Sequence, residues 1–415
     1  ATTEIYTLSL HDALPILTGK RILLGVTGSL AAYQAATIAT KLVELGAIVD
    51  VFMTFSAKKL ISPLIFQVIT GRHVYTDEEW WQINQKQFFH ENQYEADLML
   101  IVPASGNTIS KIANGISDNI LIYTAMSVKC PIVLVPDLDL MIGSNIATIE
   151  NLEKLKSRGI QILMNADNHL QDQIFPVEDI IKFTRLFLSQ NGPLKGRKVV
   201  VTVGATRESI DPVRVITNRS TGLQGWSITQ AALDAGAKTV LITTIHNRPV
   251  PYGTAVIKVD NAQEMKDAVL EEVKDADALV MTAEVADFKP LNYSPHKLKK
   301  EDDLAKIELV PTDDILWHVA QQKIDCNCPN ITIGFASESK NLLENANIKL
   351  TSKNLDFIVA DHVVSFDENS ETIFNRLTIL HAGGEVEIID DVDKSSIGYS
   401  IVERIEDLLW KKTKK

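Results

Sequence analysis

The chain has 415 residues, 41 of them basic and 53 acidic, for a formal charge of −12, and 45% are hydrophobic. That length provides for two or three domains with real cores, and the acidic balance argues against a nucleic-acid or anionic-membrane partner, which needs a basic face. No apolar run reaches the roughly 20 residues of a membrane-spanning helix.

Cysteine is used at three positions only, Cys130, Cys326 and Cys328. That is too few for a disulfide framework and points to a reducing, cytoplasmic setting. The last two are spaced C-x-C, and no metal site is expected there. The opening stretch ATTEIYTLSLHDALPI has neither a basic n-region nor a long apolar core, so residues 1–17 are expected to be a non-native leader outside the fold.

From Lys20 onward, short apolar runs alternate with amphipathic stretches. RILLGVT (21–27) reads as a buried strand, and residues 30–46 as a helix ending at Gly46. AIVDVFM (47–53), LMLIVP (98–103) and CPIVLVP (130–136) are further strands, apolar throughout as parallel strands covered on both faces are. The Gly- and Pro-containing stretch SQNGPLKGRK (189–198) marks a boundary, giving expected domains 18–190 and 191–415. The pattern then restarts with VVVTVG (199–204), TVLITT (239–244), ALVMTA (278–283), ITIGFA (331–336) and DFIVAD (356–361). A hairpin around Gly383–Gly384 and a helix over about 394–411 close the chain. Strand–helix repetition predicts an α/β protein with two Rossmann-like domains on mostly parallel, doubly wound sheets, the first flavodoxin-like.

Ligands of such sheets sit beyond the carboxyl ends of the strands. In the first half those loops are GVTGSLAAY (25–33), MTFSA (53–57), VPASGNTISKIANG (102–115) and VPDLDLMIGSN (135–145). Gly28 and Ser29 stand at a helix N-terminus, where backbone N–H groups can hold a phosphate. Alone, this turn fits a ligand site and a plain strand-to-helix connection equally well; it lacks the dinucleotide G-x-G-x-x-G. Asp137 and Asp139 share one loop, a pair that faces water more often than a metal.

Together, GVTGSLAAY, SPLIFQVITG (62–71) and PASGNTISKIANGISDN resemble the flavin-dependent cysteine decarboxylase family over about 20–160. The resemblance implies FMN, with Gly28, Ser29, Thr54, Ser105 and Asn107 as matching positions and Asp139 as a substrate contact. It also implies oxidation of the substrate thiol before the carboxylate leaves. Three positions depart from the family. Counting back from Ala96–Asp97, the catalytic histidine position falls on Phe89; His90 serves only if the loop shifts by one residue, and is otherwise a solvated loop residue. Asp139 stands where Asn is usual, and MNADNHLQDQIFP (164–176) lacks the flap cysteine. The expectation is an FMN-binding domain with a degenerate decarboxylase site.

In the second half, GATRESIDPVRVITNRSTGLQG (204–225) runs from a strand towards a helix at about 221 and suits either a phosphate cradle or a solvated crossover with Asp211–Pro212 as a turn. TAEVADFKP (282–290), SPHKLKK (294–300), GFASES (334–339) and IKLTSKNLDFIVAD (348–361) follow in order. Lysines gathered near strand ends of an acidic chain suggest a polyphosphate ligand, although a lysine run is usually a solvated face. As an ordered set these motifs resemble phosphopantothenate–cysteine ligase over about 194–405.

That resemblance implies attack of the 4'-phosphopantothenate carboxylate on CTP, giving an acyl-cytidylate and pyrophosphate. The cysteine amine then displaces CMP. It assigns the acyl intermediate to Asn218, the cytosine amino group to Asp287 and catalysis to Lys297. Lys349 and Lys353 would bind the triphosphate, with Phe335 nearby, and Ser220, Arg214 and Lys299 would make further substrate or nucleotide contacts. Mg²⁺ would bridge phosphate oxygens. NRSTG, Leu223 and Glu284 are mild departures. The partners implied are these small molecules and further copies of the chain as a homo-oligomer.

Overall fold

The computed structural model describes residues 17–80, 95–164, 175–299, 307–326, 328–338, 341–362, 376–390 and 394–413. Two compact units divide the chain, Ala1–Leu188 and Ser189–Lys415.

The first unit is built on a parallel sheet of β1 (Arg21–Val26), β2 (Ile48–Met53), β3 (Val74–Thr76), β4 (Leu98–Ala104), β5 (Ile132–Pro136) and β6 (Gln161–Ile162). Successive side chains of a strand point to opposite faces. Accordingly Ile22, Leu24 and Val26 enter one core with Leu98, Leu100 and Val102, while Leu23, Met99, Ile101 and Leu134 enter the other. Both faces are covered, which is why the strands read as unbroken apolar runs. The helix Gln34–Glu44 buries Ala35, Ile38, Ala39 and Leu42, the i, i+3, i+4, i+7 stripe of a helix on a sheet. Gly46 follows it at φ 87°, the left-handed conformation that stops a helix.

Strand order is β3-β2-β1-β4-β5-β6. Without β3 the sequence-legible strands run 2-1-3-4, the flavodoxin winding; the three-residue edge strand Val74–Thr76 converts this to the 3-2-1-4-5-6 Rossmann order. The leader boundary needs correction. Leu17 is 1% exposed within the first core, and its N–H donates to Leu45 O at 2.9 Å, so the fold reaches back to it. Residues 1–16 lie outside the described residues.

Asp50 is 1% exposed on β2 and accepts from Arg21 Nε at 2.7 Å and Arg72 Nε at 2.6 Å. Removing one member of a buried ion cluster leaves the others desolvated without compensation, at about 3–5 kcal/mol. Asp50→Ala is expected to destabilise the first unit by that order in urea unfolding; a loss below about 1 kcal/mol would contradict the cluster's role.

The second unit contains β7 (Lys198–Val203), β8 (Arg207–Ser209), β9 (Val215–Thr217), β10 (Lys238–Thr243), β11 (Ala255–Lys258), β12 (Ala278–Met281), β13 (Phe288–Pro290), β14 (Leu309–Pro311), β15 (Ile331–Glu338), β16 (Phe357–His362), β17 (Arg376–His381) and β18 (Val386–Asp390). Its main sheet has the order β11-β10-β7-β12-β15-β16-β17-β18. It is parallel through β16 and antiparallel at the β17–β18 hairpin, where Gly384 takes φ 86°. The pairs β8–β9 and β13–β14 form two small antiparallel ribbons beside it. Alternation again divides the core: Val199, Val201 and Val203 to one face, Val200 and Leu279 to the other.

The closing helix, Lys394–Thr413, is tied down at Asp356, which accepts from Lys412 Nζ at 2.7 Å, Lys323 Nζ at 3.0 Å and Thr332 N–H at 2.8 Å. Burial alone would raise this carboxyl's pKa; the two lysines and the Thr332 N–H outweigh it and hold the pKa below the ordinary value. A carboxyl with a depressed folded-state pKa stabilises the fold above its unfolded pKa, about 4, and loses that contribution as pH falls through the lower folded value. The stability gap between wild type and Asp356→Asn should therefore be full at pH 7 and shrink below about pH 4. Urea midpoints at both pH values check this, and a gap that widens in acid would contradict it.

Candidate functional sites

In the first unit a cleft of about 1240 Å³ opens at the carboxyl ends of the strands. Every long strand delivers residues to it. Gly28, Ser29 and Leu30 follow β1; Thr54, Phe55 and Ser56 follow β2; Ser105, Gly106 and Asn107 follow β4; Asp137 and Asp139 follow β5. The strand order reverses between β1 and β4, so this is the crevice where doubly wound sheets take ligands. All five positions expected to hold a cofactor, and Asp139, line the same cleft.

The loops are held by their own polar groups. Thr27 Oγ1 donates to Pro103 O at 2.7 Å and accepts from Ser105 N–H at 2.9 Å, tying the turn after β1 to the turn after β4. Ser105 caps the helix Gly106–Asn114 by accepting from Thr108 N–H at 3.4 Å. The Ser29 hydroxyl donates to Asp137, whose carboxylate also accepts from Ala31 N–H at 3.3 Å. Asp139 accepts from Ile142 N–H at 2.8 Å. Both aspartates thus act on loop conformation, and among the described residues no three His, Cys, Asp or Glu side chains gather as a metal would need. From the sequence Asp137 reads as one of a solvated pair; its partner Ser29 lies 108 positions away, a contact no local pattern reveals.

Two observations suit a bound heterocycle with a phosphate. A Cβ on Gly28 would lie 2.2 Å from Ser56 Cβ, so the backbone at this turn approaches the β2 loop as only glycine permits. Gln34 Oε1, in a residue lining the cleft, is buried and has no hydrogen-bond partner, an acceptor that a ligand donor would satisfy. His90 and most of the flap segment, residues 165–174, lie outside the described residues.

The second unit gathers its expected residues around the ends of β7 and β12. Backbone pairing continues past both strands: Glu284 N–H donates to Gly204 O at 2.8 Å and Thr206 N–H to Glu284 O at 3.1 Å. Ala286 N–H donates to Thr206 Oγ1 at 2.9 Å. Asn218 Nδ2 donates to Val285 O at 3.4 Å, which sets it beside the segment bearing Asp287. Asp287 is exposed, and its carbonyl accepts from Thr312 N–H at 2.9 Å. Ser220 Oγ accepts from Gly222 N–H at 3.3 Å at the start of the helix Leu223–Asp234. That helix sits close on the sheet, for a Cβ on Gly225 would lie 2.3 Å from Val203 Cγ2 and 2.4 Å from Thr282 Oγ1. Leu223 opens it.

Lys297 and Lys299 are exposed on the segment that follows β13, and Arg214 reaches this segment by donating to Leu298 O at 2.6 Å. Lys353 caps the helix Leu342–Ser352 one turn after Lys349 and pairs with Asp314 at 3.0 Å. Phe335 lies on β15, beside β12, and is partly buried against the core. The structure therefore joins Asn218, Ser220, Asp287, Arg214, Lys297 and Lys299 in one cluster of loops. Lys349, Lys353 and Phe335 stand on other elements of the same unit, the helix Leu342–Ser352 with its cap and the strand β15. Asp211, a turn residue in the solvated-crossover reading of this loop, is buried at 2% exposure within the cluster.

Two family models cover nearly the whole chain: the flavoprotein model matches residues 15–189 and the DNA/pantothenate metabolism flavoprotein C-terminal domain model matches residues 194–409. A Bacillus subtilis (strain 168) protein named coenzyme A biosynthesis bifunctional protein CoaBC is 34% identical over 400 residues, 94% of this chain and 97% of that one. The crystal structure of the C-terminal domain of a CoaBC protein is 32% identical over 53% of this chain and 100% of its own, with a TM-score of 0.45. An FMN-dependent cysteine decarboxylase from thioviridamide biosynthesis is 25% identical over 35% of this chain and 90% of its own, with a TM-score of 0.34. The chain belongs to the bifunctional CoaBC family of coenzyme A biosynthesis, with a flavoprotein decarboxylase-type first unit and a ligase-type second unit. No helix among the described residues is long and apolar enough to cross a membrane.

Proposed function

We propose that the second unit joins 4'-phosphopantothenate to cysteine at the expense of CTP, and that the first unit holds FMN while decarboxylating the product slowly. The observation that carries the ligase reading is the meeting of Asn218, Asp287, Arg214 and the Lys297 segment at one switch point of a doubly wound sheet. The chemistry requires positioning a carboxylate against the α-phosphorus and neutralising the charge that develops there. The Asn218 amide would orient the acyl group. The exposed Asp287 carboxylate would accept from the cytosine amino group, a pairing that favours cytosine. Lys297 would answer the phosphate charge, with Lys299, Lys349 and Lys353 supplying further positive charge. Lys353 would exchange Asp314 for phosphate as CTP binds. Mg²⁺, which keeps several waters and binds largely through substrate phosphates, would enter with CTP.

In the first unit, the N–H groups after Gly28 and Ser105 would hold the flavin phosphate, and Gln34 Oε1 would accept from the ring system. FMN supplies the thiol oxidation; this chain's residues bind and orient it. Slow decarboxylation follows from the absent flap cysteine and the histidine shifted from its register. The second reading, a fully active bifunctional enzyme, is favoured by the near full-length similarity to bifunctional relatives. Exposed apolar residues beside the cleft, Leu30, Tyr33 and Met141 among them, suit the expected homo-oligomer.

Pyrophosphate release from CTP in the presence of phosphopantothenate tests the ligase reading. Release is expected without cysteine for one turnover and continuously with it. Absence of release from intact, folded protein would remove the reading.

A further inference from the structure

Resting on the ligase reading, we infer that Asp211 is the positioning residue of the second unit, clamping the Lys297–Lys299 segment through Arg214 and the Leu298 backbone. The two oxygens of Asp211 have different duties. Oδ1 accepts from Val213 N–H and Arg214 N–H, both at 2.8 Å, which closes the turn that Asp211 itself begins. Oδ2 makes no such local backbone bond. It accepts from Arg214 Nε at 2.9 Å, from Arg214 Nη2 at 2.6 Å and from Leu298 N–H at 3.2 Å, the last across 87 positions of sequence. Arg214 Nη2 also donates to Leu298 O at 2.6 Å.

Leu298 is therefore held by both its N–H and its carbonyl, which fixes the backbone between Lys297 and Lys299. A second tie, Ser294 N–H to Ile210 O at 3.0 Å, anchors the start of the same segment to the residue before Asp211. A turn-forming aspartate needs Oδ1 alone; five donors on two oxygens, with the carboxylate 2% exposed, go beyond a turn. Arg214 acts within this clamp, so its effect on the nucleotide passes through the lysine segment.

Asp211→Asn separates the two duties. The amide oxygen still closes the turn, while the NH₂ group faces Leu298 N–H and Arg214 without an acceptor. Arg214→Gln removes the second contact to Leu298 and leaves Asp211 in place. In the full chain, tryptic cleavage after Lys297 and Lys299, mapped by mass well below each variant's thermal midpoint, should speed by about fivefold or more in both variants, and more than cleavage elsewhere in the second unit. With CTP, phosphopantothenate and cysteine, kcat should fall about tenfold or more with a smaller change in KM. In a Lys297→Gln background, Asp211→Asn should change kcat by less than about twofold, because both act through one side chain. Unchanged cleavage rates, or a full tenfold loss in the Lys297→Gln background, would overturn the inference. A wild-type protein silent towards CTP, with cleavage accelerated in the variants, would remove the ligase reading and leave the clamp standing.

Discussion

Lys297→Gln is expected to lower kcat for the proposed CTP-dependent ligation by about 100-fold or more, equivalent to about 2.7 kcal/mol of transition-state stabilisation, with a smaller effect on the KM for CTP. The expectation combines charge and placement. In a chain of net charge −12, a triphosphate needs cations concentrated where it reacts, and the segment bearing Lys297 is held against the loop that also holds Asn218. Gln keeps a hydrogen-bond donor and most of the length but removes the charge. The loss should therefore fall mainly on the charge developing at phosphorus. Lys297 is exposed, so the variant should unfold at the wild-type temperature. A kcat within about threefold of wild type would remove Lys297 from the reaction.

The second large effect belongs to the first unit. Gly28→Val is expected to purify with less than about a tenth of the wild-type flavin, because the cradle can form only without a side chain at that turn. A Cβ there would meet Ser56 Cβ at 2.2 Å and Ser56 carbonyl carbon at 3.1 Å, so the turns after β1 and β2 would have to separate. Ser29→Ala, which removes only the hydroxyl that donates to Asp137, is expected to weaken flavin retention by less. Pyrophosphate release by the second unit serves as the control for folding of the chain. Full flavin content in Gly28→Val, measured by absorbance after gel filtration, would contradict the assigned site.

Much of this architecture was legible because parallel strands covered on both faces carry unbroken apolar runs, as in RILLGV and VVVTV. The edge strand Val74–Thr76 was not, since three residues carry no period, and its absence changes the apparent winding of the sheet. Exposure hid β11, whose residues are mostly solvent-facing, and brevity hid the ribbons β8–β9 and β13–β14. Leu17 escaped because a single buried residue beside a stretch unlike the rest gives no signal. The site motifs were readable as ordered patterns, and the loops bearing Asn218, Asp287 and Lys297 do meet. What composition and spacing cannot reveal is partnership across the fold. Asp211 reads as a turn aspartate before proline, yet its second oxygen serves a segment 87 residues away. Asp137 reads as one of two solvated carboxylates, yet it orients Ser29 in the cleft.

The most direct test is mass analysis of the products that the intact, flavin-loaded protein forms from phosphopantothenate, cysteine and CTP. Accumulation of 4'-phosphopantothenoylcysteine, with CMP and pyrophosphate in equal amounts and little loss of carbon dioxide, is the predicted result. Formation of neither the cysteine adduct nor CMP would contradict the central claim, and complete conversion to the decarboxylated thiol would show that the first unit works at full strength.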